Sequence, residues 1–308
     1  MKISAKSMFS ALWTLLILFF AGGYFVKRWP AVSELMQQME LSILLGAVLA
    51  VVFSKLLMPV FMKYALALMR IIMPFGQCFY IYHTSQLAKY LPGNIWHFVS
   101  KAGAYRVRGY SMDRIRDALL IENGLLVLGA MGTGLLLTGI FGFAHLQQLG
   151  GQINATWWLG IALFAIVGMM VACFVERKIG FFKKMCVSWR NGLVIVLLHA
   201  GIWLSLGGML FMLMLPYLGE NARCMTTYFY ATGIFALGYS IGFVTPFAPA
   251  GIGIREGILV LGLAPYIGSG STVIIISTLS RLLYVVVEIV LALLCRLTKM
   301  LAHNRRKC

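Results

Sequence analysis

Residues 71–100 read IIMPFGQCFYIYHTSQLAKYLPGNIWHFVS, an apolar run that breaks at Leu91-Pro92-Gly93-Asn94 and then resumes. Up to the break, the run is as long as the ~20 residues that a helix needs to cross a bilayer. Proline removes a backbone donor and glycine permits unusual dihedral angles, so a turn is expected at the break. The stretch predicts either a kinked helix that crosses the membrane or a re-entrant hairpin that enters and leaves on one side.

The distribution of basic residues decides between these two structures. The segments assigned to the inner face hold 20 of the 26 Lys and Arg residues, and they are 1–7, 55–70, 101–116, 177–190 and 296–308. Lys and Arg concentrate in the cytoplasmic loops of membrane proteins. If 71–100 crossed the membrane, the five basic residues of 101–116 would lie outside. A hairpin that opens to the cytoplasm is therefore predicted, with both chain termini on the cytoplasmic side.

The composition excludes a soluble domain. Apolar residues make up 61% of the chain and charged residues 11%, against roughly a quarter charged in an average soluble domain. The net charge of +17 would suggest nucleic acid in a soluble protein. Here it follows the inner segments, so it indicates topology and contact with anionic lipid, and no nucleic-acid partner is expected. The sequence predicts an all-α polytopic membrane protein with a single transmembrane domain over 1–308.

A second broken segment repeats the first in mirror image. The apolar run 228–244 is followed by Thr245-Pro246-Phe247-Ala248-Pro249-Ala250-Gly251 and then by a shorter run. Because the last helix must end at the basic C-terminus, the unit 228–264 begins and ends outside. The prediction is about six full spans plus two oppositely oriented re-entrant hairpins, with 41–140 and 193–295 as inverted repeats. Such interrupted segments mark midplane sites in transporters. Eight ordinary spans with proline kinks remain the alternative.

Charged residues inside apolar sequence are candidates for function. Arg255 opens a half-helix, where a guanidinium and the helix N-terminus can both meet a phosphate. The alternatives are structural roles for these charges: Glu256 neutralises Arg255, Lys89 snorkels to the interface, and Arg281 pairs with Glu288. The candidate substrate-binding residues are Lys89, Pro92, Gly93, Asn94, Trp96, Arg106, Pro249, Gly251, Arg255 and Arg281. The candidates for proton coupling or counter-charge are Glu122, Glu256 and Glu288.

Enzyme chemistry leaves no pattern in the sequence. Histidines and cysteines are scattered, and there is no metal-binding cluster, phosphate loop or nucleophile–base arrangement, so no metal, cofactor or catalytic residue is expected. A membrane glycosyltransferase using a polyprenyl-phosphate sugar is one alternative, but the outward acids Glu34, Glu40 and Glu220 are isolated. A non-catalytic subunit of a lipid or envelope-polysaccharide pathway is another alternative.

Two motifs carry a resemblance to a known family. Lys89-Tyr90-Leu91-Pro92-Gly93-Asn94-Ile95-Trp96 precedes Glu122-Asn123, and Pro249-Ala250-Gly251-Ile252-Gly253-Ile254-Arg255-Glu256 follows late in the chain. In this order they resemble the lysylphosphatidylglycerol-synthase transmembrane (flippase-domain) family of bacterial integral membrane proteins, over about residues 10–296. The positions that match its motifs are Pro92, Gly93, Trp96, Glu122, Arg255 and Glu256.

The resemblance implies a protein of the bacterial inner membrane that moves lipids between leaflets. Because the chain stops at Cys308, a fused synthase domain and its aminoacyl transfer are not expected. The predicted function is transport or flipping of an anionic or polyprenyl-phosphate-linked lipid. Membrane lipids with a phosphate-bearing head group are the expected partners. A homo-oligomer or a lipid-processing enzyme partner stays open.

Overall fold

The computed structural model describes residues 29–37, 39–90, 95–142, 188–245 and 253–304, together with residues 23, 26, 180, 184, 185 and 251. Regular structure in this part of the chain is helical throughout. The helices after residue 40 are α1 Leu41–Leu68, α2 Phe75–Gln86, α3 Trp96–Arg106, α4 Met112–Phe141, α5 Trp189–Met214, α6 Met225–Val244, α7 Ile254–Ile267 and α8 Gly270–Asn304. Short 3-10 turns follow α2 and α5.

Five helices are long and apolar enough to cross a membrane: Leu41–Leu68, Met112–Phe141, Trp189–Tyr217, Met225–Val244 and Gly270–Thr298. At 1.5 Å per residue, each spans at least the ~30 Å thickness of a bilayer core. Their outer faces carry bare aliphatic side chains, as a lipid-facing surface requires. The chain is therefore a multi-pass, all-α membrane protein, which confirms the predicted fold class. The side of the membrane on which each terminus lies stays a prediction.

The first broken segment consists of two short helices. The apolar run does not begin as helix at Ile71, because α2 starts at Phe75 with Pro74 as its N-cap. Helix α2 has 12 residues and α3 has 11, so each extends only about 16–18 Å. Neither helix alone could cross the bilayer, and the two pack against each other. These lengths favour the re-entrant hairpin, which stays a prediction. Pro92, Gly93 and Asn94 lie outside the described residues.

The second broken segment consists of two helices of unequal length, so it matches the first segment less closely than the sequence suggests. Helix α6 has 20 residues and is long enough to cross, whereas α7 has 14 and extends about 21 Å. Between them, Gly251 and Gly253 adopt positive φ angles of 69° and 88°, which a side chain would disfavour. The residues between 245 and 251, Pro249 among them, lie outside the described residues. The second hairpin therefore also stays a prediction.

The helix packing has the pattern that two inverted repeats would produce. Each half begins and ends with a long helix. Between them lie α2 and α3 in the first half and α6 and α7 in the second half. Helices α1 and α5 pack against each other, α2 lies against α8 as α6 lies against α4, and α3 contacts α4 as α7 contacts α8. These contacts interchange when the halves are exchanged. The inverted repeats themselves, with their opposite orientation in a membrane, stay a prediction.

Small residues bring the helices close together within the chain. A Cβ atom at Gly129 would collide with His199 of α5, and one at Gly134 would lie 2.6 Å from Leu237 Cγ of α6. A Cβ at Gly132 would meet nothing within 4 Å. Gly129 and Gly134 thus serve the internal packing of α4, one of the two roles that glycine-rich faces can have in membrane helices.

Adjacent glycines on α5 give a matched test of this packing. We expect Gly207→Ala to destabilise the protein by about 1–3 kcal/mol, because the new methyl group would lie 2.7 Å from Cγ2 of the buried Thr232. Gly208→Ala should be neutral or slightly stabilising, because its nearest neighbour, Tyr228 Cε2, is 3.8 Å away and alanine favours helix. Melting temperatures of both variants in detergent test this. Equal melting temperatures would contradict the close α5–α6 contact.

Candidate functional site

A buried carboxylate on α8 joins three parts of the bundle. Oε1 of Glu288 lies 2.6 Å from Nζ of Lys55 on α1 and 2.6 Å from Nζ of Lys89, in the turn after α2. The Lys55 and Glu288 side chains are 2% and 1% exposed, and that of Lys89 is 21% exposed. Nζ of Lys55 also lies 4.0 Å from the ring centroid of Tyr284, one turn before Glu288. Two ammonium groups therefore share one carboxylate oxygen inside the protein.

A second ion pair holds the start of α7 against α8. Arg281 approaches Glu256 with both ends of its guanidinium, at 3.1 Å from Nε to Oε1 and 3.3 Å from Nη2 to Oε2. Nη2 of Arg281 also donates to the carbonyl of Gly251 at 3.1 Å. Oε2 of Glu256 accepts the backbone N–H of Gly253 at 2.7 Å. This pair fixes the glycine-rich break where α7 begins, and it combines one charge-assisted hydrogen bond from Nη2 with the close approach of Nε.

The structure differs from two pairings that the sequence analysis gave as alternatives, Arg255 with Glu256 and Arg281 with Glu288. Glu256 faces Arg281 rather than its neighbour Arg255, because successive residues on a helix point about 100° apart. Glu288 binds the two lysines, and Arg281 binds Glu256, although Arg281 and Glu288 are seven residues apart on one helix. The seven-residue spacing placed them on one face of α8 but did not determine their partners.

Arg255 is a buried cation that takes part in neither of these groups of ion pairs. It is 8% exposed, and its guanidinium carbon lies 4.1 Å from the ring centroid of Phe235 and 5.9 Å from that of Tyr284. Its Nε and Nη2 atoms have no hydrogen-bond partner in the part of the chain that the structure describes. The buried hydroxyl of Tyr284 likewise has none there. Two donor groups, on residues whose guanidinium and ring are neighbours, therefore have no acceptor among the described residues.

Gly238 and Gly242 on α6 allow the backbone of α7 to approach this closely. A Cβ at Gly238 would lie 3.3 Å from Cγ of Arg255, and one at Gly242 would lie 3.2 Å from Cα of Gly251. These contacts hold the stem of Arg255 against α6, whose Phe235 ring faces the guanidinium. Within the described part of the chain, the contacts that hold the arginine are packing contacts and not an ion pair.

A third ion pair ties α3 to α4. Nζ of Lys101 contacts Oε1 of Glu122, both side chains being almost fully buried, and Nζ lies 5.3 Å from the ring centroid of Tyr82. The hydroxyl of Tyr105 donates to Oε2 of Glu122 at 3.4 Å. This pair joins a short helix to the long helix after it, as the Glu256–Arg281 pair does in the other half. Glu122 is thus the counter-charge of Lys101.

Lys55 and Lys101 were placed on the inner surface by the sequence analysis, and this was wrong. Lys55 is the 15th of the 28 residues of α1, and Lys101 faces the bundle from α3, with both residues 1–2% exposed. The segments 55–70 and 101–116 are therefore partly helix, and their first lysines are interior charges. An isolated Lys in an apolar helix was the signal that could have identified Lys55.

The remaining candidates divide between positions away from the cluster and positions outside the described residues. Trp96 is half-buried at the start of α3, and Arg106 is exposed at its end. Gly251 takes part through its backbone carbonyl, as described above. Pro92, Gly93, Asn94 and Pro249 lie outside the described residues. Within the described ranges, no three His, Cys, Asp or Glu side chains are grouped so that they could hold a metal ion.

An apolar groove of about 590 Å³ lies between α3, α4 and the C-terminal end of α6. It opens at the surface, where Leu120 and Val244 on its rim are 38% and 61% exposed. Its walls include Phe98, Ala102, Leu119, Val127 and Phe243. Arg116 and Asn123 also line the groove, but most of its lining is apolar, as contact with a hydrocarbon chain would require.

Comparison with known protein families finds no family model that matches the chain. The chain is similar to the inner membrane protein YbhN of Escherichia coli (strain K12), with 29% identity over 144 residues. The aligned region covers 45% of this chain and 42% of the relative, so the chain spans less than half of that relative's length. The similarity agrees with a membrane protein, and the narrower family resemblance stays a prediction.

Proposed function

We propose that this protein is a lipid transporter rather than an enzyme, and that it acts in the bacterial inner membrane. It binds the phosphate of an anionic or polyprenyl-phosphate-linked lipid at Arg255 and carries the lipid between leaflets. The described multi-pass helical bundle and the similarity to an inner membrane protein support the location. The resemblance of the two broken motifs to a flippase-domain family supports lipid movement as the function.

The observation that carries the proposal is that Nε and Nη2 of the buried Arg255 guanidinium have no hydrogen-bond partner among the described residues. Burying a charged group without a partner is costly, and most ionisable side chains relieve that cost by becoming neutral. Arginine does not lose its proton in proteins, so this route is closed to it. A phosphate offers two oxygens that match the guanidinium fork and would remove the cost. The protein therefore holds a site that an anion would complete.

The position of the charges also fits transport. Lys55 lies about 21 Å from the start of α1, close to the middle of that helix. Arg255 lies next to the glycine-rich break between α6 and α7, and interrupted helices surround the midplane sites of many transporters. Irregular backbone at such depth requires protein or a polar cavity around it. A site halfway through the bundle can be opened toward either leaflet.

The groove beside α3 supports a lipid rather than a soluble anion as the ligand. Its apolar walls suit an acyl or prenyl chain, and Lys101, three residues after the groove residue Phe98 on the same helix, faces the interior beside it. A lipid could thus leave its tail in the groove while its head group lies among the buried charges. Polar and apolar surfaces would then each meet matching parts of the lipid.

The proposal is tested by identifying the lipids that co-purify with the full chain in mild detergent. We expect mass spectrometry to find one phosphate-bearing lipid enriched over the bulk membrane composition, and Arg255→Ala to reduce that enrichment at least about tenfold, the loss of one charge-assisted contact. The matched control is Arg223→Ala, which removes an exposed arginine of the α5–α6 connection. That variant should retain the lipid.

Bulk lipids alone, unchanged by Arg255→Ala, would contradict a specific head-group site. A non-catalytic role in a lipid pathway would then account better for the buried charges, which would be structural. Sugar transfer from a lipid-linked donor by the purified wild-type protein would instead favour the glycosyltransferase alternative.

A further inference from the structure

Resting on the proposed function, we propose that the hydroxyl of Tyr284 is a second donor to the lipid phosphate, beside the guanidinium of Arg255. The head group then binds between the start of α7 and the middle of α8. The ligand chemistry is that of a phosphate oxyanion, and the inference assigns it to a lipid head group rather than to free phosphate. Tyr284 is thus a binding residue of the site.

The hydroxyl of Tyr284 is buried and has no hydrogen-bond partner among the described residues. Several buried serine and threonine hydroxyls of this chain donate to a carbonyl about one turn earlier on their own helix, as those of Ser54, Thr138 and Thr232 do. A tyrosine hydroxyl lies beyond its aromatic ring, away from the backbone of its own turn, so it needs an acceptor from elsewhere. A buried donor without an acceptor costs stability. Packing of the bundle therefore does not explain this hydroxyl.

The aromatic ring of Tyr284, unlike its hydroxyl, has a clear structural role. The residue is 7% exposed, and Nζ of Lys55 lies 4.0 Å from the ring centroid. A phenylalanine ring would fill the same space and keep the cation–π contact. The hydroxyl is the part of this side chain that the contacts with described residues leave without a role.

Arg255 presents two further donors next to this ring. Its guanidinium carbon lies 5.9 Å from the ring centroid of Tyr284. Nε and Nη2, which have no partner among the described residues, lie along one edge of the guanidinium and can bind two oxygens of a phosphate. The oxygens of a phosphate point in several directions, so a phosphate held by this edge can also accept a hydrogen bond from the phenol.

The ion pair at the start of α7 places Tyr284 at the glycine-rich break. Arg281, one turn before Tyr284 on α8, donates to the carbonyl of Gly251 at 3.1 Å. The same arginine approaches Glu256, the residue after Arg255. This turn of α8 therefore lies beside the first turn of α7, so the phenol and the guanidinium belong to one site.

The inference is tested by measuring the affinity of the detergent-purified full chain for phosphatidylglycerol. Tyr284→Phe removes only the hydroxyl oxygen. We expect this variant to bind the lipid at least about tenfold more weakly, as the loss of one hydrogen bond to a charged group would give. Its melting temperature should be unchanged or higher, because the hydroxyl has no acceptor within the described part of the chain.

The matched control is Tyr228→Phe, which makes the same change at a hydroxyl that donates to the carbonyl of Leu204 at 2.9 Å. This variant should bind the lipid as the wild type does and melt at a lower temperature, because it loses a hydrogen bond within the protein. A Tyr284→Phe protein that behaves like Tyr228→Phe, with a lower melting temperature and intact binding, would overturn the inference.

Inorganic phosphate distinguishes a lipid from a soluble anion as the ligand. We expect the wild type to bind inorganic phosphate more weakly than phosphatidylglycerol, because the free anion has no chain to place in the apolar groove. Inorganic phosphate that binds as tightly as the lipid would overturn the lipid head group as the ligand of Tyr284.

Arg255→Ala, measured in parallel, separates this inference from the proposed function. Binding of phosphatidylglycerol that is lost in Arg255→Ala but unchanged in Tyr284→Phe would overturn the role of the phenol and leave the proposed function in place. Binding that neither variant changes would overturn both. Loss of binding in both variants, with Tyr284→Phe as stable as the wild type, is the result that we expect.

Discussion

Replacing Glu288 with glutamine is expected to lower the melting temperature of the protein far more than replacing the exposed Glu220 in the same way. The change leaves the ammonium groups of Lys55 and Lys89 without the carboxylate oxygen that both approach at 2.6 Å. Removing one partner of a buried ion pair costs about 3–5 kcal/mol, because the other charge stays buried without compensation. Here two cations are affected, so the loss should lie at or above the upper end of that range.

A double variant separates charge balance from the loss of side-chain shape. Lys55→Met combined with Glu288→Gln removes one of the stranded cations, and the remaining one, Lys89, is 21% exposed and can reach polar surroundings more easily. The double variant should therefore melt at a higher temperature than Glu288→Gln alone. Thermal unfolding in detergent, followed by the monodisperse fraction on size-exclusion chromatography, measures both. A Glu288→Gln protein as stable as the wild type would show that the lysines do not depend on this carboxylate.

Two buried arginines provide the second large effect, and they should respond in opposite ways. Arg255 and Arg281 are each 8% exposed, but Arg281 pairs with Glu256 whereas Arg255 has no such partner among the described residues. Arg281→Met should destabilise the protein by about 3–5 kcal/mol, because the buried Glu256 loses the cation that faces it. Arg255→Met should leave stability unchanged or raise it, because it removes an uncompensated charge and keeps an apolar stem against Phe235.

Arg255→Met is expected to impair lipid binding without impairing stability. Arg255→Met should lose anionic-lipid binding although it is as stable as the wild type, which is the pattern of a residue retained for function at the expense of stability. Melting temperatures and lipid binding measured on the same preparations test the two halves together. If Arg255→Met unfolds as readily as Arg281→Met, the guanidinium of Arg255 has a structural partner and is not a ligand-binding group.

The sequence could predict the class of the protein because hydropathy and helix length report directly on the bilayer. Long apolar runs became α1, α4, α5, α6 and α8, and the breaks near Pro92 and Pro249 separate the short helices from their neighbours. Helix α2 nevertheless begins at Phe75 rather than at the start of the run at Ile71, because Pro74 lacks the backbone donor of a helix interior. Local sequence determined where helices stop better than where they start.

The ion pairs could not be predicted, because they depend on distant contacts. Lys55 and Glu288 are separated by 233 positions, and a count of basic residues by side of the membrane cannot distinguish a lysine in a loop from one inside the bundle. The same reasoning assigned Lys101 to a surface loop. Arg255 was identified from its place at the start of a half-helix, but the sequence could not show that Glu256 faces Arg281 and that Nε and Nη2 of Arg255 lack a partner among the described residues.

The most direct test of the account is lipid movement by the reconstituted protein. Proteoliposomes containing wild type, Arg255→Met or Arg223→Met would be loaded with an anionic phosphate lipid bearing a fluorescent acyl label, and the fraction accessible to an external quencher would be followed in time. We predict that wild type and Arg223→Met move the lipid at similar rates, and that Arg255→Met falls to the rate of protein-free vesicles. Transport by correctly folded Arg255→Met at the wild-type rate would contradict the central claim that this arginine binds the lipid phosphate.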